Sequence, residues 1–585
     1  MTSLYAELDA RLAAAFATAA GRLGADSSPA ALRRSRRADF QADGALAAAR
    51  SLSTAPRGFA EAVVASARLE DLCSRIEVAG PGFINLTVRD DVLGRYADAM
   101  AADPRLGVAP TAAAQTVVVD YSGPNAAKEM HVGHLRSTII GDSVVRLLEL
   151  RGHTVLRRNH LGEWGTPFGM LVEHLLDVGE DEAAHELSVG DLSSFYQAAR
   201  VTFDADAAFR DRARRRVVLL QSGDEATLRL WEILVRESKR YFMAVYELLR
   251  VKLTAADFAG ESSYNALLEP VAQELDRLGL LRESEGAQCV FPAGFTGREG
   301  EPLPLIVRKS DGGFGYDATD LAAIRQRLVE LRADRLLYVI GLPQQMHLTM
   351  VFRTAREAGW ARPGTSIEQV GFGSILGEDG RMLRSRAGVA VKLVDLLTEA
   401  VARARTEVEQ RNPDLDPQTA ASVARSVGIG AVKYADLSTD RAKDYVFDYD
   451  RMLALEGDTA PYLQYAHARI HSLFAKAGVE GTTGTTAGAA AGAAIDVREP
   501  AEHDLALALL GFPQLIEELE QSLEFHRLTG YLFALAAQFS VFYEKCPVLR
   551  AQPEIRASRL ALCALTARVL AQGLDLLGID APTVM

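Results

Sequence analysis

The run Asp120-Tyr-Ser-Gly-Pro-Asn125-Ala-Ala-Lys128-Glu-Met-His131-Val-Gly133-His134-Leu-Arg-Ser-Thr138 crowds two imidazoles, an amine, a guanidinium, two carboxylates and an amide into one short stretch. The β-branched residues before it, Thr116-Val-Val-Val-Asp120, predict a buried strand, and the spacing from Ile139 to Leu150 predicts a helix. The histidines therefore stand where a strand gives way to a helix. Three residues apart in a first helical turn, His131 and His134 share one face, and Gly133 lets a ligand approach the backbone closely. Unpaired amide N–H groups and the positive end of the helix dipole add to the two imidazole donors. The chemistry this favours is binding of a nucleotide phosphate. A bare His-x-x-His is also found on ordinary helix faces and in metal sites. Here Pro124 and Asn125 mark a turn, a lysine precedes the first histidine, and no neighbouring cysteine or acidic cluster completes a metal shell.

Two further groups carry usable chemistry. Leu305 to Asp320 reads as a strand, a glycine turn at Gly312-Gly313 and a second short strand leading into a helix, with Tyr316 and Asp320 four apart. In isolation Asp320 reads as a helix N-cap. Leu337-Tyr-Val-Ile-Gly-Leu-Pro-Gln344-Gln345-Met-His347 is an apolar strand ending in amides and a histidine, a position at which open α/β sheets bind ligands.

With its Ser-x-Pro-Asn-x-x-Lys lead and Leu-Arg-Ser-Thr continuation, His131-Val-Gly133-His134 resembles the His-x-Gly-His nucleotide motif of class I aminoacyl-tRNA synthetases, in the version carried by arginine–tRNA ligases. Related adenylyltransferases share the short motif, which alone gives the chemistry class and not the substrate. The resemblance implies that His131, His134 and Lys128 act on ATP, with Gly133 and His347 beside the nucleotide. It implies that Asp120 and Asn125 hold the substrate α-amino group, that Tyr316, Asp320 and Gln345 line the arginine pocket, and that the Asp320 carboxylate faces the guanidinium. A planar, permanently charged guanidinium suits a carboxylate through two parallel charge-assisted hydrogen bonds, a fork that lysine cannot reproduce. Asn159-His-Leu-Gly162-Glu163-Trp164-Gly matches the family's Asn-His-x-Gly-Asp/Glu-Trp-Gly stretch, with Trp164 either walling the pocket or filling the core. The family's second nucleotide motif, Lys-Met-Ser-Lys-Ser, corresponds to the loop from Gly371 to Gly388, where neither lysine is present. Arg381, Arg384, Ser385 and Arg386 stand there instead, and on the family reading Lys128 compensates for the missing loop lysine.

The activity so implied is ligation of L-arginine to tRNA(Arg) through an arginyl adenylate, with no protein nucleophile. ATP is a substrate, and Mg²⁺ is expected with it, holding phosphate oxygens and water and no assigned protein ligand. Two rival readings are a non-catalytic synthetase-like tRNA-binding paralogue and a class I synthetase for another amino acid.

The elements that must position these residues fall into three regions of a 585-residue chain. Residues 1–112 read as a small α/β domain containing the strand-like Gly82–Val88, and residues 113–400 as a Rossmann-type parallel sheet interrupted by a mostly helical insertion at about 172–300. Residues 401–585 read as an all-α bundle broken by the low-complexity stretch Gly481 to Gly492. Asp458 to Arg469, the helix Ser558 to Leu570 and the tail Leu576 to Met585 resemble the anticodon-binding bundle of class I synthetases, which implies tRNA contacts by aromatics such as Tyr531 and Tyr543, each of which reads equally as a core residue, and by Met585. The N-terminal domain, on the same resemblance, touches the tRNA elbow. Hydrophobic residues at 48% and charged residues at 24% are ordinary for a globular protein and exclude a membrane-embedded chain. The net charge of −13 does not exclude a nucleic-acid partner, because basic runs exist at Arg33 to Arg37 and Arg210 to Arg216. Four scattered cysteines argue against a disulfide framework, and the N-terminus carries no visible secretory signal. A cytoplasmic monomer without a membrane partner is the expectation.

Overall fold

The computed structural model describes residues 3–26, 28–179, 192–297, 300–383, 391–478 and 493–585. In the N-terminal region, helix α1 (Leu4–Gly21) is capped by Ser3, whose hydroxyl accepts the Ala6 N–H at 3.1 Å, and it buries Leu4, Leu8, Leu12 and Phe16 along one stripe. Helices α2 (Gly44–Ser51), α3 (Pro56–Val64) and α4 (Asp90–Ala102) accompany an antiparallel sheet of strands β1 (Leu32–Arg34), β2 (Phe40–Ala42), β3 (Cys73–Ala79) and β4 (Phe83–Val88). The order is β1-β2-β4-β3.

The central sheet is wholly parallel: β5 (Thr116–Asp120), β6 (Thr154–Arg158), β10 (Arg335–Tyr338) and β11 (Ser366–Gln369) lie in the order β11-β10-β5-β6. Alternation along β5 sends Val117 and Val119 to one core and Val118 to another, and Leu337 and Leu336 divide in the same way on β10. Helix α5 (Gly133–Leu150) packs on the first face through Ile139 and Val144, while α11 (Tyr316–Arg325) and α12 (Gln345–Glu357) cover the second through Leu321 and Val351. Burial of both faces explains why the central strands β5 and β10 read as largely apolar runs.

Between β6 and α11 the chain forms α6 (Thr166–Val178), α7 (Leu192–Ala205), α8 (Ala207–Ser222), α9 (Glu225–Leu249) and α10 (Asn265–Arg277). The expected helical insertion to residue 300 stops short: β7 (Leu281–Ser284) and β8 (Ala287–Val290) form an antiparallel hairpin to which β9 (Leu305–Arg308) adds. The second short strand expected after the Gly312-Gly313 turn is reduced to one bridge between Arg308 and Phe314.

A short parallel pair, β12 (Ile375–Leu376) with β13 (Tyr445–Val446), ties the sheet to the C-terminal helices. These are α13 (Leu393–Arg411), which spans residue 400, α14 (Pro417–Leu437), α15 (Tyr449–Met452), α16 (Ala460–Ala477), α17 (Pro500–Leu509), α18 (Phe512–Ser522), α19 (Phe525–Lys545) and α20 (Pro553–Leu576). Among the described residues no helix is long and apolar enough to cross a membrane.

His503 on α17 latches the bundle to the N-terminal region, its Nε2 3.1 Å from Asp39 and its Nδ1 2.6 Å from Asp90. The Asp39 bond raises its pKa to about 9, outweighing burial, with Asp90 assisting. Because the folded value exceeds the ordinary imidazole value, the stabilisation is complete below about pH 6.5 and is lost as pH rises through the folded value. The thermal midpoint should fall between about pH 6.5 and about pH 9, and His503→Ala should flatten that fall. Parallel pH curves for parent and variant, measured by calorimetry, would remove the latch from the account.

Candidate active site

The link from β5 to α5 is a strained turn held by side chains from far along the chain. Ser122 and Ala127 have φ of 72° and 58°, a region unfavourable to side chains, and the surroundings hold them there. The Ser122 N–H donates to Ser137 Oγ at 2.9 Å, the Ala127 N–H to Ser238 Oγ at 2.8 Å, and the Gly123 N–H to Asn159 Oδ1 at 3.0 Å. Tyr246 joins the same buried network, its hydroxyl 2.7 Å from Ser122 Oγ and 2.8 Å from Asn159 Nδ2. Helix α9 of the insertion, which supplies Ser238 and Tyr246, thus fixes the turn. Gly162 lies against Asn125, whose side chain a Cβ at that position would strike, and their backbones pair.

His131 is not in the first helical turn, as the spacing suggested, but two residues before the helix, where its backbone pairs with Lys392. The two rings nevertheless meet, with centroids 4.0 Å apart. The His131 N–H donates to Nδ1 of His134 and the Gly133 N–H to Nδ1 of His131, each at 3.1 Å. Both imidazoles accept at Nδ1, so each neutral ring carries its proton on Nε2 and offers an outward donor. Burial first, and the neighbouring His131 second, push the His134 pKa down to about 3, while burial and Lys128 lower that of His131. Neutral donors suit phosphate oxygens without fixing the proton count of the leaving group. A Cβ at residue 133 would approach within 2.8 Å of the His131 ring, so Gly133 is needed for that ring's position as well as for ligand approach. Lys128 Nζ lies 4.3 Å from the centroid of the Tyr196 ring on α7.

A second cluster gathers acids. Asp320 Oδ2 accepts from His347 Nε2 at 2.7 Å, and the Tyr316 ring meets His347 edge-on at 5.3 Å. Asp320 lies in the second turn of α11, whose N-cap is Gly315, so the capping role open to it from sequence does not hold. Asp317, mostly buried, accepts the Ile306 N–H at 2.7 Å and faces His347 Nδ1 at 3.6 Å. Burial disfavours charge on His347, but Asp320 and Asp317 prevail and raise its pKa. Glu261, which accepts the Trp164 N–H at 3.1 Å, is driven up to about 7 by burial and then by the charge of Asp320, and burial raises the neighbouring Glu163 as well. The charge of Asp320 thus acts on both His347 and Glu261, lifting the pKa of each.

The other expected site residues have varied surroundings. His347, expected beside the nucleotide, contacts Asp320 and Asp317. Asp120 is buried, its Oδ2 2.7 Å from Nη1 of Arg327 in the π-helical turn Gln326–Glu330, so this carboxylate is already paired within the protein. Gln345, two residues from His347 and turned to another side of α12, lines a 400 Å³ groove with Thr349, Arg356, Gln369 and Arg441. Asn125 is exposed on the turn. Arg381 is exposed beside an 840 Å³ groove shared with Met382, Phe447 and Tyr449, while Arg384, Ser385 and Arg386 lie outside the described residues. Trp164 stacks edge-on with Trp231 at 5.5 Å and packs against the core. Tyr531 is not an exposed platform: its hydroxyl donates to the Ala508 carbonyl at 3.0 Å and its ring packs on Phe512. Tyr543 packs on Phe539, its ring 4.3 Å from the Arg469 guanidinium. Met585 is half-buried near Val408, its carbonyl accepting from Asn412 at 3.4 Å. Sequence reasoning missed Glu261 and Arg327, both far in sequence from the groups they touch.

Residues 97–449 match the family described as tRNA synthetases class I (R), catalytic domain, residues 463–585 the DALR anticodon binding domain, and residues 6–88 the arginyl tRNA synthetase N terminal domain. The arginine–tRNA ligase of Thermobifida fusca is 54% identical over 98% of this chain and 98% of its own. This chain belongs to the arginine–tRNA ligase family. Among solved structures, the Plasmodium falciparum arginyl-tRNA synthetase superposes with a TM-score of 0.83 at 27% identity, covering 100% of each chain. The Thermus thermophilus arginyl-tRNA synthetase gives 0.79 at 26% identity, over 99% of this chain and 100% of its own. The arginine–tRNA ligase family therefore accounts for the class I sheet, the N-terminal domain and the helical C-terminal domain described above.

Proposed function

We propose that this chain activates L-arginine with ATP and transfers it to tRNA(Arg). The observation that carries the reading is the pairing of a two-imidazole donor cradle, His131 and His134, with the acid cluster around Asp320. Both lie at the carboxyl-end side of adjacent strands β5 and β10, where Asp120 registers with Tyr338. An oxygen of the arginine carboxylate attacks the α-phosphorus of ATP, the bond from that phosphorus to the bridging oxygen breaks, and pyrophosphate leaves. The terminal ribose hydroxyl of tRNA then attacks the arginyl carbonyl, and AMP departs. His131 and His134 donate from Nε2 to phosphate oxygens, and Lys128 supplies charge after leaving the Tyr196 ring. Asp320 takes the guanidinium, with Glu261 and Asp317 completing the negative field and Tyr316 forming the open wall. Mg²⁺ is expected to enter with ATP, bound through phosphate oxygens and water. A monomer acting in the cytoplasm is part of this reading.

The test is ATP–pyrophosphate exchange with arginine, with and without cognate tRNA. Exchange is expected, and its dependence on tRNA shows whether RNA completes the site. No exchange under either condition, with tRNA still bound, would favour a non-catalytic tRNA-binding protein.

A further inference from the structure

Two residues beyond His134, on the opposite side of α5, Arg136 is 1% exposed. Its Nε lies 3.1 Å from Oδ2 of Asp436 on α14, itself fully enclosed, and its Nη1 donates to the Lys443 carbonyl at 2.9 Å. The guanidinium also lies 5.8 Å from the Phe372 ring centroid and 5.3 Å from that of Tyr445. Phe372 stands just ahead of β12 and Tyr445 begins β13, the pair from which the Arg381 segment departs. The same C-terminal segment is fastened to β12 by the Gly373 N–H, which donates to the Arg441 carbonyl at 2.9 Å. It is fastened to the bundle by Arg441, which donates to the carbonyls of Ser522 and Leu523. Beyond the Arg381 segment, the Val132 N–H donates to the Val391 carbonyl and the Leu393 N–H to the Met130 carbonyl, while Lys392 Nζ lies 2.7 Å from Glu129. The segment after Arg381 is thus pinned to the histidine run directly, whereas the strand before it is pinned through Arg136.

We propose that Arg136, held by Asp436, is a positioning residue that sets the spacing between the His131–His134 cradle and the β12–β13 pair carrying Arg381. A buried ion pair is a poor source of stability compared with well-packed apolar groups, but a guanidinium that engages a carboxylate, a carbonyl and two rings fixes orientation as a lysine cannot. Misplacement of catalytic groups by about 1 Å can cost roughly 10²-fold in rate. The arginine pocket is built on α11 and α12 and meets this region at the lead into α12, where the Leu342 N–H donates to the Phe372 carbonyl at 3.0 Å, so arginine binding should be affected less than ATP binding. The inference rests on the reading of His131 and His134 as the ATP cradle.

The experiment is ATP–pyrophosphate exchange on purified full-length Arg136→Met, Arg136→Lys and Asp436→Asn, with thermal midpoints measured alongside and His134→Ala as reference. Arg136→Met should raise KM for ATP by about 10-fold or more and lower kcat, leaving KM for arginine within about twofold. Arg136→Lys, which keeps the charge opposite Asp436, should recover the thermal midpoint but not the ATP constant. If the methionine variant does not fold, the nearly isosteric Asp436→Asn must show the same split between the two substrates. Equal shifts for ATP and arginine, normal kinetics in Asp436→Asn, or an ATP constant that recovers in step with the midpoint would each overturn the proposal. Loss of exchange in His134→Ala beside normal Arg136 variants refutes the positioning pair alone, whereas normal exchange in both refutes the cradle.

Discussion

Asp320→Ala should lower kcat/KM for arginine by roughly 10³-fold or more and bring arginine close to its uncharged isostere citrulline. The carboxylate is half-exposed in a cluster whose other members cannot replace it: Asp317 is already bound to the Ile306 N–H, and Glu261 to the Trp164 N–H. Removing Asp320 also strips His347 of its 2.7 Å partner and leaves only Asp317 at 3.6 Å, so the imidazole loses the interactions that raise its pKa. The effect is large because the guanidinium arrives without its water shell, and a desolvated cation with an unmade charge-assisted bond is strongly disfavoured. Initial rates of pyrophosphate exchange for arginine and citrulline measure it. Selectivity equal to that of the parent would remove Asp320 from the pocket.

His134→Ala should depress adenylate formation by about 10²- to 10³-fold, the effect of losing one preorganised donor to developing phosphate charge. The change also frees the His131 N–H, which the His134 Nδ1 now accepts at 3.1 Å, and so loosens the first imidazole as well. Binding of tRNA, measured by filter retention, should stay within about twofold because the C-terminal bundle makes no use of this ring. Normal activation in the variant would mean that the nucleotide lies elsewhere.

What was legible in the sequence was what local chemistry dictates. The β-branched run Thr116–Asp120 had to be a strand, and the apolar spacing after it a helix, because both patterns are set within a few residues. The turn between them hid its strain: Ser122 and Ala127 take the left-handed backbone without being glycine, held by Ser137 and Ser238. His131 was placed in the helix by its spacing, yet its backbone pairs with Lys392, a partner no local pattern announces. The acid cluster was half visible. Asp320 was flagged by the family resemblance of its stretch, whereas Glu261 sits in the polar stretch Gly260-Glu-Ser-Ser-Tyr264, which has no period, and only folding brings it to Trp164. The pairing of Asp120 was not legible because its guanidinium partner, Arg327, occupies a π-helical turn far along the chain. Tyr531 and Tyr543 were open to either a stacking or a core reading, because helices of a bundle bury more than one side and an aromatic there packs as readily as it projects.

The most direct test of the central claim is ATP–pyrophosphate exchange run with each amino acid in turn, cognate tRNA present. The account predicts exchange with arginine and none with lysine or citrulline, since only the guanidinium satisfies the acid cluster around Asp320 while its carboxylate reaches the nucleotide. Exchange driven by another amino acid, with arginine inert, would contradict it.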